Sequence, residues 1–149
     1  MAAVTKADFS RLCILVIDDS PFMRRLLLEM LHSFGAGRVV CASGADEAFA
    51  EIGRDPPDLI VCDWEMYPED GLSVLRRLRQ HSGAHSFRIP FIMLTGHNGT
   101  EDVTTALGEG ADSYIVKPFT SETLMNHLLK VIVADKGHTG EQAELWALE

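Results

Sequence analysis

The side chains in this sequence whose types and spacing could do chemistry together are Asp18, Asp19, Asp63, Thr95 and Lys117. Each follows an apolar run: Leu12-Cys13-Ile14-Leu15-Val16-Ile17 ends in Asp18-Asp19, and Leu59-Ile60-Val61-Cys62 ends in Asp63. Phe91-Ile92-Met93-Leu94 ends in Thr95, and Tyr114-Ile115-Val116 in Lys117. An apolar run closed by one polar residue reads as a buried parallel strand that delivers its last side chain to the sheet edge. In open α/β sheets the ligand crevice lies at that carboxyl edge. Carboxylates gathered there repel by about 4 kcal/mol per pair at about 4 Å and an effective dielectric near 20. A hard divalent cation removes that penalty, and Mg²⁺ characteristically takes one or two carboxylates, waters and a phosphate. With a hydroxyl and an ammonium alongside, such a site suits a phosphoryl group, and one carboxylate is left to attack it.

The remaining segments must position these groups. Ser20 as N-cap and Pro21 at the first helical position start a helix. Phe22, Leu26, Leu27, Met30, Leu31 and Phe34 form its apolar stripe, and Gly35 and Gly37 close it. Val39-Val40-Cys41-Ala42 is a short second strand, and residues 45–52 a second helix led by Ser43. A polar loop from Trp64 to Gly71 precedes a third helix with Leu72, Leu75 and Leu78 buried and Arg76, Arg77 and Arg79 on the open face. Residues 81–88 read as loose. A fourth helix over about 100–109 ends at Gly110, and Thr120 or Ser121 caps a last helix through Val133. Five strands alternating with five helices predict the α/β class, a doubly wound parallel sheet covered on both faces.

A chain of 149 residues, 46% hydrophobic, is long and apolar enough for one domain and argues against disorder. A net charge of −9 works against binding phosphate backbones, so no DNA partner is expected. No apolar run is long enough to span a membrane and no leader signal opens the chain. Cys13, Cys41 and Cys62 lack CxxC spacing and sit in apolar runs, which predicts buried thiols in a reducing compartment, the cytoplasm.

In its motifs the sequence resembles the receiver domains of two-component response regulators, in particular their single-domain, CheY-like branch. The resemblance covers about residues 10–134 and rests on Asp18-Asp19, Asp63-Trp64, Asp70-Gly71, Thr95, Tyr114 and Lys117-Pro118-Phe119 in this order. It implies the flavodoxin-like strand order 2-1-3-4-5. It further implies that Asp63 is the phosphoacceptor, receiving its phosphoryl group from a histidine kinase or phosphotransfer protein. Asp19 and Asp63 would bind Mg²⁺ directly, Asp18 mainly through water, and the Glu65 backbone carbonyl would complete the site. Lys117 would pair with Asp63 and then with the phosphoryl group, while Thr95 and Tyr114 would switch position. The Lys117–Pro118 peptide would be cis. Output would appear on the fourth helix, fifth strand and fifth helix, toward a downstream protein target, from a monomer or a phosphorylation-dependent dimer.

Departures from the family pattern sit around the acceptor. Pro68 comes one residue late, Glu65 adds a carboxylate beside the metal, and His97 occupies a second position that tunes phosphoryl lifetime. Slow self-dephosphorylation is expected. Trp64 reads equally as loop packing or as part of the surface a partner approaches. The arginines of the first and third helices read as a solvated face. Residues 1–10 read as a lead, 11–134 as the receiver domain, and 135–149 as a tail, frayed or forming a short helix that docks through Leu145, Trp146 and Leu148.

The expected whole is a stand-alone signalling switch, not an enzyme, in chemotaxis or motility. A phosphorelay intermediate and a phosphorylation-independent adaptor are the alternatives. A Mg²⁺-dependent aspartate-nucleophile phosphatase lacks the chain length for a cap domain. A flavodoxin-like FMN binder lacks the phosphate loop after the first strand, where two carboxylates stand instead.

Overall fold

Apolar runs become strands and the amphipathic stretches between them become helices in the computed structural model, which describes residues 9–81, 88–96 and 99–136. The elements in chain order are β1 (Cys13–Ile17), α1 (Pro21–Ser33), β2 (Arg38–Ala42), α2 (Ala45–Arg54), β3 (Leu59–Asp63), α3 (Gly71–His81), β4 (Phe91–Thr95), α4 (Thr100–Gly108), β5 (Ser113–Val116) and α5 (Ser121–Lys136). The strands form one parallel sheet in the order β2-β1-β3-β4-β5, the order 2-1-3-4-5 expected above. Central β3 and β4 are buried along their whole length, which explains runs with no polar alternation.

Alternate strand residues feed two cores, as the two-residue period of a strand requires. Leu15, Ile17, Ile60, Cys62 and Met93 pack with Ala48 of α2, Val74, Leu75 and Leu78 of α3, and Ala106 of α4. Ile14, Val16, Val61, Ile92 and Leu94 face the other way, onto Leu27 and Leu31 of α1 and Leu124 and Leu128 of α5. Both faces of the sheet are therefore covered, and the polar strand ends are left at one edge.

Several local expectations are corrected. Ser43 does not cap α2; the N-cap is Gly44, and the Ser43 hydroxyl donates to Glu47 Oε2 at 3.0 Å. Asp46 and Glu47 in the first turn suit the helix dipole instead. Phe22 leaves the buried stripe of α1 and stands 74% exposed. Leu72 is only partly buried, and Val74 takes its place in the α3 stripe. Cys62 is fully buried, but Cys13 and Cys41 are half-buried, because each lies on or beside the edge strand β2. Thr120 caps α5 by accepting from the Thr123 amide at 3.1 Å, and the helix continues past Val133 to Lys136. Residues 82–87 of the expected loose segment, residues 1–8 of the lead, and residues 137–149 of the tail lie outside the described residues. No described helix is long and apolar enough to cross a membrane.

The solvated arginine face is also only partly present. Arg79 is buried enough that its guanidinium is pulled down to about 10, by desolvation and by Arg88, with Asp112 opposing. It donates to the carbonyls of Gly110 at 2.8 Å and Ile89 at 2.7 Å, tying the start of β4 to the α4–β5 turn. Gly110 makes that turn at φ 109°, and a Cβ there would meet Arg79 Nε at 2.9 Å. Arg77 stacks over the Phe49 ring at 4.3 Å and donates to Glu69 at 2.6 Å. Arg25 and Arg76 remain on the surface, in exposed ion pairs worth little.

One glycine ties the fold to the crevice. Gly71 donates its amide to Trp64 O at 2.9 Å, and a Cβ there would lie 2.3 Å from the backbone oxygen of Asp63. Gly71→Ala is expected to destabilise by about 1–3 kcal/mol or more, because backbone must move. Gly53→Ala, in open space within α2, is expected to be neutral or stabilising by up to about 1 kcal/mol. Urea unfolding of both variants checks the pair.

Candidate functional site

Strand register builds the site. Ile17 of β1 lies opposite Cys62 of β3, so Asp18 and Asp63 emerge side by side. Asp63 lies opposite Leu94 of β4, so Thr95 emerges one residue beyond it, and Thr95 in turn faces Val116 of β5. The Lys117 amide donates to Thr95 O at 2.7 Å, extending the ladder to the lysine. Asp18, Asp19, Asp63, Thr95 and Lys117 are thus brought together at the edge where the chain order reverses, between β1 and β3.

Carboxylate oxygens of Asp18, Asp19 and Asp63 lie within 4.8 Å of one another. Asp18 and Asp63 are buried and Asp19 is exposed. Lys117 Nζ donates to Asp63 Oδ1 at 2.7 Å. Asp18 Oδ1 accepts from the Ser20 amide at 2.9 Å, and Asp19 Oδ2 accepts from the Tyr67 amide at 3.3 Å. Arg24 donates to Asp18 O at 2.8 Å and fixes the turn after β1, a role its sequence position did not announce. Asp18 Oδ2 is buried with no hydrogen-bond partner among the described residues.

These contacts shift the carboxyl groups. Burial pushes Asp18 up to about 6, with the neighbouring Asp63 and Asp19 charges adding and the Ser20 amide and Lys117 opposing. Burial also raises Asp63; the Lys117 hydrogen bond and charge oppose it, and the Glu65 charge adds to it. A buried carboxylate oxygen without a partner, among mutually repelling carboxylates, fits a hard divalent cation with oxygen ligands such as Mg²⁺.

Glu65 behaves differently from the expectation that its side chain adds to the metal site. Its carboxylate reaches β4, accepting from Thr95 Oγ1 at 2.6 Å and from the Gly96 amide at 2.7 Å. Thr95 is fully buried. Tyr114 is half-buried and hydrogen-bonds with Thr95; burial raises its hydroxyl above the ordinary phenol range against that bond. Trp64 is buried and packs edge-on against Tyr114 of β5, ring centroids 6.2 Å apart at 86°, so it packs this loop against the sheet. Lys117–Pro118 is cis, as the resemblance implied, and Tyr67–Pro68 is cis as well. His97 lies outside the described residues. Besides Arg24, the Gly96 amide is a site group that sequence reasoning missed, since a backbone donor leaves no signal in residue types.

Comparison with known proteins agrees with this fold. The family profile for the response regulator receiver domain matches residues 14–129. The chain is 35% identical over 120 residues to chemotaxis protein CheY1 of Helicobacter pylori, covering 80% of this chain and 95% of that protein. It is 39% identical over 119 residues to the probable transcriptional regulator ycf27 of Porphyridium aerugineum, of which it spans only 47%. Among solved structures, the chemotaxis protein CheY4 of Vibrio cholerae matches with a TM-score of 0.73 and 29% identity, over 80% of this chain and 98% of that one.

The raised Asp18 carboxyl has a measurable consequence. Between its ordinary value of 3.8 and about 6 the folded chain holds more protons than the unfolded chain, so folding stability falls as pH rises through that window. Asp18→Asn removes the buried charge. Without divalent cations the variant is expected to exceed wild type by about 1–3 kcal/mol at pH 8, the gain fading as pH falls toward 4. Urea unfolding across pH tests this, and added Mg²⁺ is expected to stabilise wild type more than the variant.

Proposed function

The chain belongs to the response-regulator receiver family, and we propose that it is a phosphorylation-controlled protein-interaction switch whose phosphoacceptor is Asp63. The observation that carries this reading is the Asp63 carboxylate itself: buried, held by Lys117 at 2.7 Å, and beside an Asp18 oxygen that has no hydrogen-bond partner among the described residues. A phosphoryl group would come from a phosphohistidine of a kinase or phosphotransfer protein. Asp63 forms a P–O bond as the P–N bond breaks, and the histidine leaves with a proton.

Asp18, Asp19, Asp63 and the Glu65 carbonyl would hold Mg²⁺, which supplies charge neutralisation for the phosphoryl oxygens when bound. Lys117 supplies a second positive charge, passing from the carboxylate to the phosphoryl group. Thr95 donates its hydroxyl to a phosphoryl oxygen, and Tyr114 follows Thr95 through their hydrogen bond and the Trp64 contact. The modified group is the chain's own Asp63, so the protein acts as a signalling switch and not as an enzyme on a separate substrate. Glu65, two residues after the acceptor, places a carboxylate on the approach to the phosphoryl group and favours slow self-dephosphorylation by obstructing the attacking water.

Two surfaces support the partner assignments. A concavity of about 390 Å³ lined by Met23, Leu26, Lys117, Pro118 and Phe119, with exposed Phe22 preceding Met23 on α1, suits a donor protein presenting phosphohistidine. A groove of about 490 Å³ between α4, β5 and α5, lined by Val103, Leu107, Tyr114, His127 and Lys130, suits a cytoplasmic target protein. Tyr114 connects that groove to Thr95. Chemotaxis relatives make motility control the first process to test.

Incubation with an acyl phosphate and Mg²⁺ is expected to add one phosphoryl group by intact mass, absent without Mg²⁺ and absent in Asp63→Ala. No adduct on wild type sinks the acceptor assignment. Phe22→Asp is expected to slow transfer from a kinase by about tenfold or more while leaving the small-donor rate unchanged. Equal slowing with both donors would show that Phe22 is not a docking residue.

A further inference from the structure

We propose that the Glu65 carboxylate is an internal occupant of the phosphoryl site, holding the hydrogen-bond donors that a phosphoryl group on Asp63 would need. This inference rests on the acceptor reading above. The two carboxylate oxygens divide the work: Oε2 takes the Thr95 hydroxyl at 2.6 Å and Oε1 the Gly96 amide at 2.7 Å. Both are short, charge-assisted bonds. A threonine hydroxyl has one proton to give, and here Glu65 has it.

A side-chain hydroxyl and a backbone N–H converging on one anion make the kind of cradle that stabilises a developing or transferred oxyanion. This cradle is at the end of β4, beside Asp63 on β3 and joined to Lys117 through the Thr95 carbonyl. The backbone of Glu65 also donates to the Asp63 carboxylate, so the loop is folded with its side chain alongside the acceptor.

A phosphoryl group carries charge of about −1.5 to −2 and three acceptor oxygens. Its arrival must move the Glu65 carboxylate out to solvent, a short step for a residue that is already exposed. Thr95 and Gly96 then exchange one anion for another and remain satisfied in both states. The inward arrangement of Thr95 and Tyr114 is therefore held before phosphorylation. A modification shifts a two-state element only by contacts that differ between the states. Glu65 reduces that difference and opposes phosphoryl addition through like charge.

The test combines amide hydrogen exchange at Gly96 with the rate of adduct formation from an acyl phosphate, for the full chain and Glu65→Ala. The substitution leaves the backbone carbonyl in place. In wild type without phosphodonor, the Gly96 amide is expected to be protected, and Glu65→Ala to exchange it at least about tenfold faster. The variant is expected to gain its adduct several-fold faster, and the adduct to restore protection at Gly96. Glu65→Gln, whose amide oxygen can still accept from the Gly96 N–H while its NH2 donates to the Thr95 oxygen, is expected to keep Gly96 protected but, having lost the charge, to gain its adduct faster than wild type. Unchanged Gly96 exchange in Glu65→Ala overturns the proposal. So does loss of wild-type protection on adding Mg²⁺ alone, since the carboxylate then belongs to the metal. Adducts forming equally fast overturn the competition while leaving Asp63 as acceptor; no adduct in either chain overturns the acceptor reading and the competition together.

Discussion

Mutual repulsion among Asp18, Asp19 and Asp63 is the constraint on which the rest of the structure depends. Nothing local requires three carboxylates within 4.8 Å of one another, two of them buried. Covering both faces of β1 and β3 removes the water that would otherwise screen Asp18 and Asp63. Lys117 offsets part of the charge at Asp63, but Asp18 keeps a buried oxygen with no partner among the described residues. The fold therefore stores an unfavourable electrostatic arrangement that a hard cation relieves. Stability and ligand binding draw on the same groups in opposite directions.

Around that cluster the positive and hydrogen-donating groups arrive from β4 and β5, the far half of the sheet. Thr95 and Lys117 are placed by ladder hydrogen bonds, so their positions follow from register and not from loop conformation. The Arg79 clamp on Gly110 and Ile89 holds the opposite ends of these strands, where β4 begins and the chain turns into β5. An arginine that sequence pattern puts on an open helix face thus acts inside the framework. Its guanidinium satisfies the carbonyls of Ile89 and Gly110, which lie outside the strand ladder.

The loop after β3 is where the two halves meet. Gly71 allows this loop to fold back on Asp63 O, Trp64 packs beneath it against Tyr114, and Glu65 spans the gap to Thr95. A single loop thereby touches Asp63, the Thr95 hydroxyl and Tyr114, which links that hydroxyl to the α4–β5–α5 surface. Under the proposed function, the conformation of this loop would set how strongly phosphorylation of Asp63 is felt elsewhere.

The apolar runs, their lengths and the polar residues closing them determined the element types, the α/β class and the gathering of Asp18, Asp19, Asp63, Thr95 and Lys117. Those features follow from burial on both faces of a parallel sheet, a requirement written directly into residue type. Ser20 and Pro21 likewise marked the start of α1, because capping is a local interaction. Tertiary structure alone decided the direction of Glu65, the backbone donor at Gly96, the inward Arg79, the outward Phe22 and the buried Trp64. Each of these depends on which distant segment lies opposite, as Glu65 and Thr95 do across 30 residues of chain. Periodicity reports a side chain's face on its own element, but its partner is set by packing between elements.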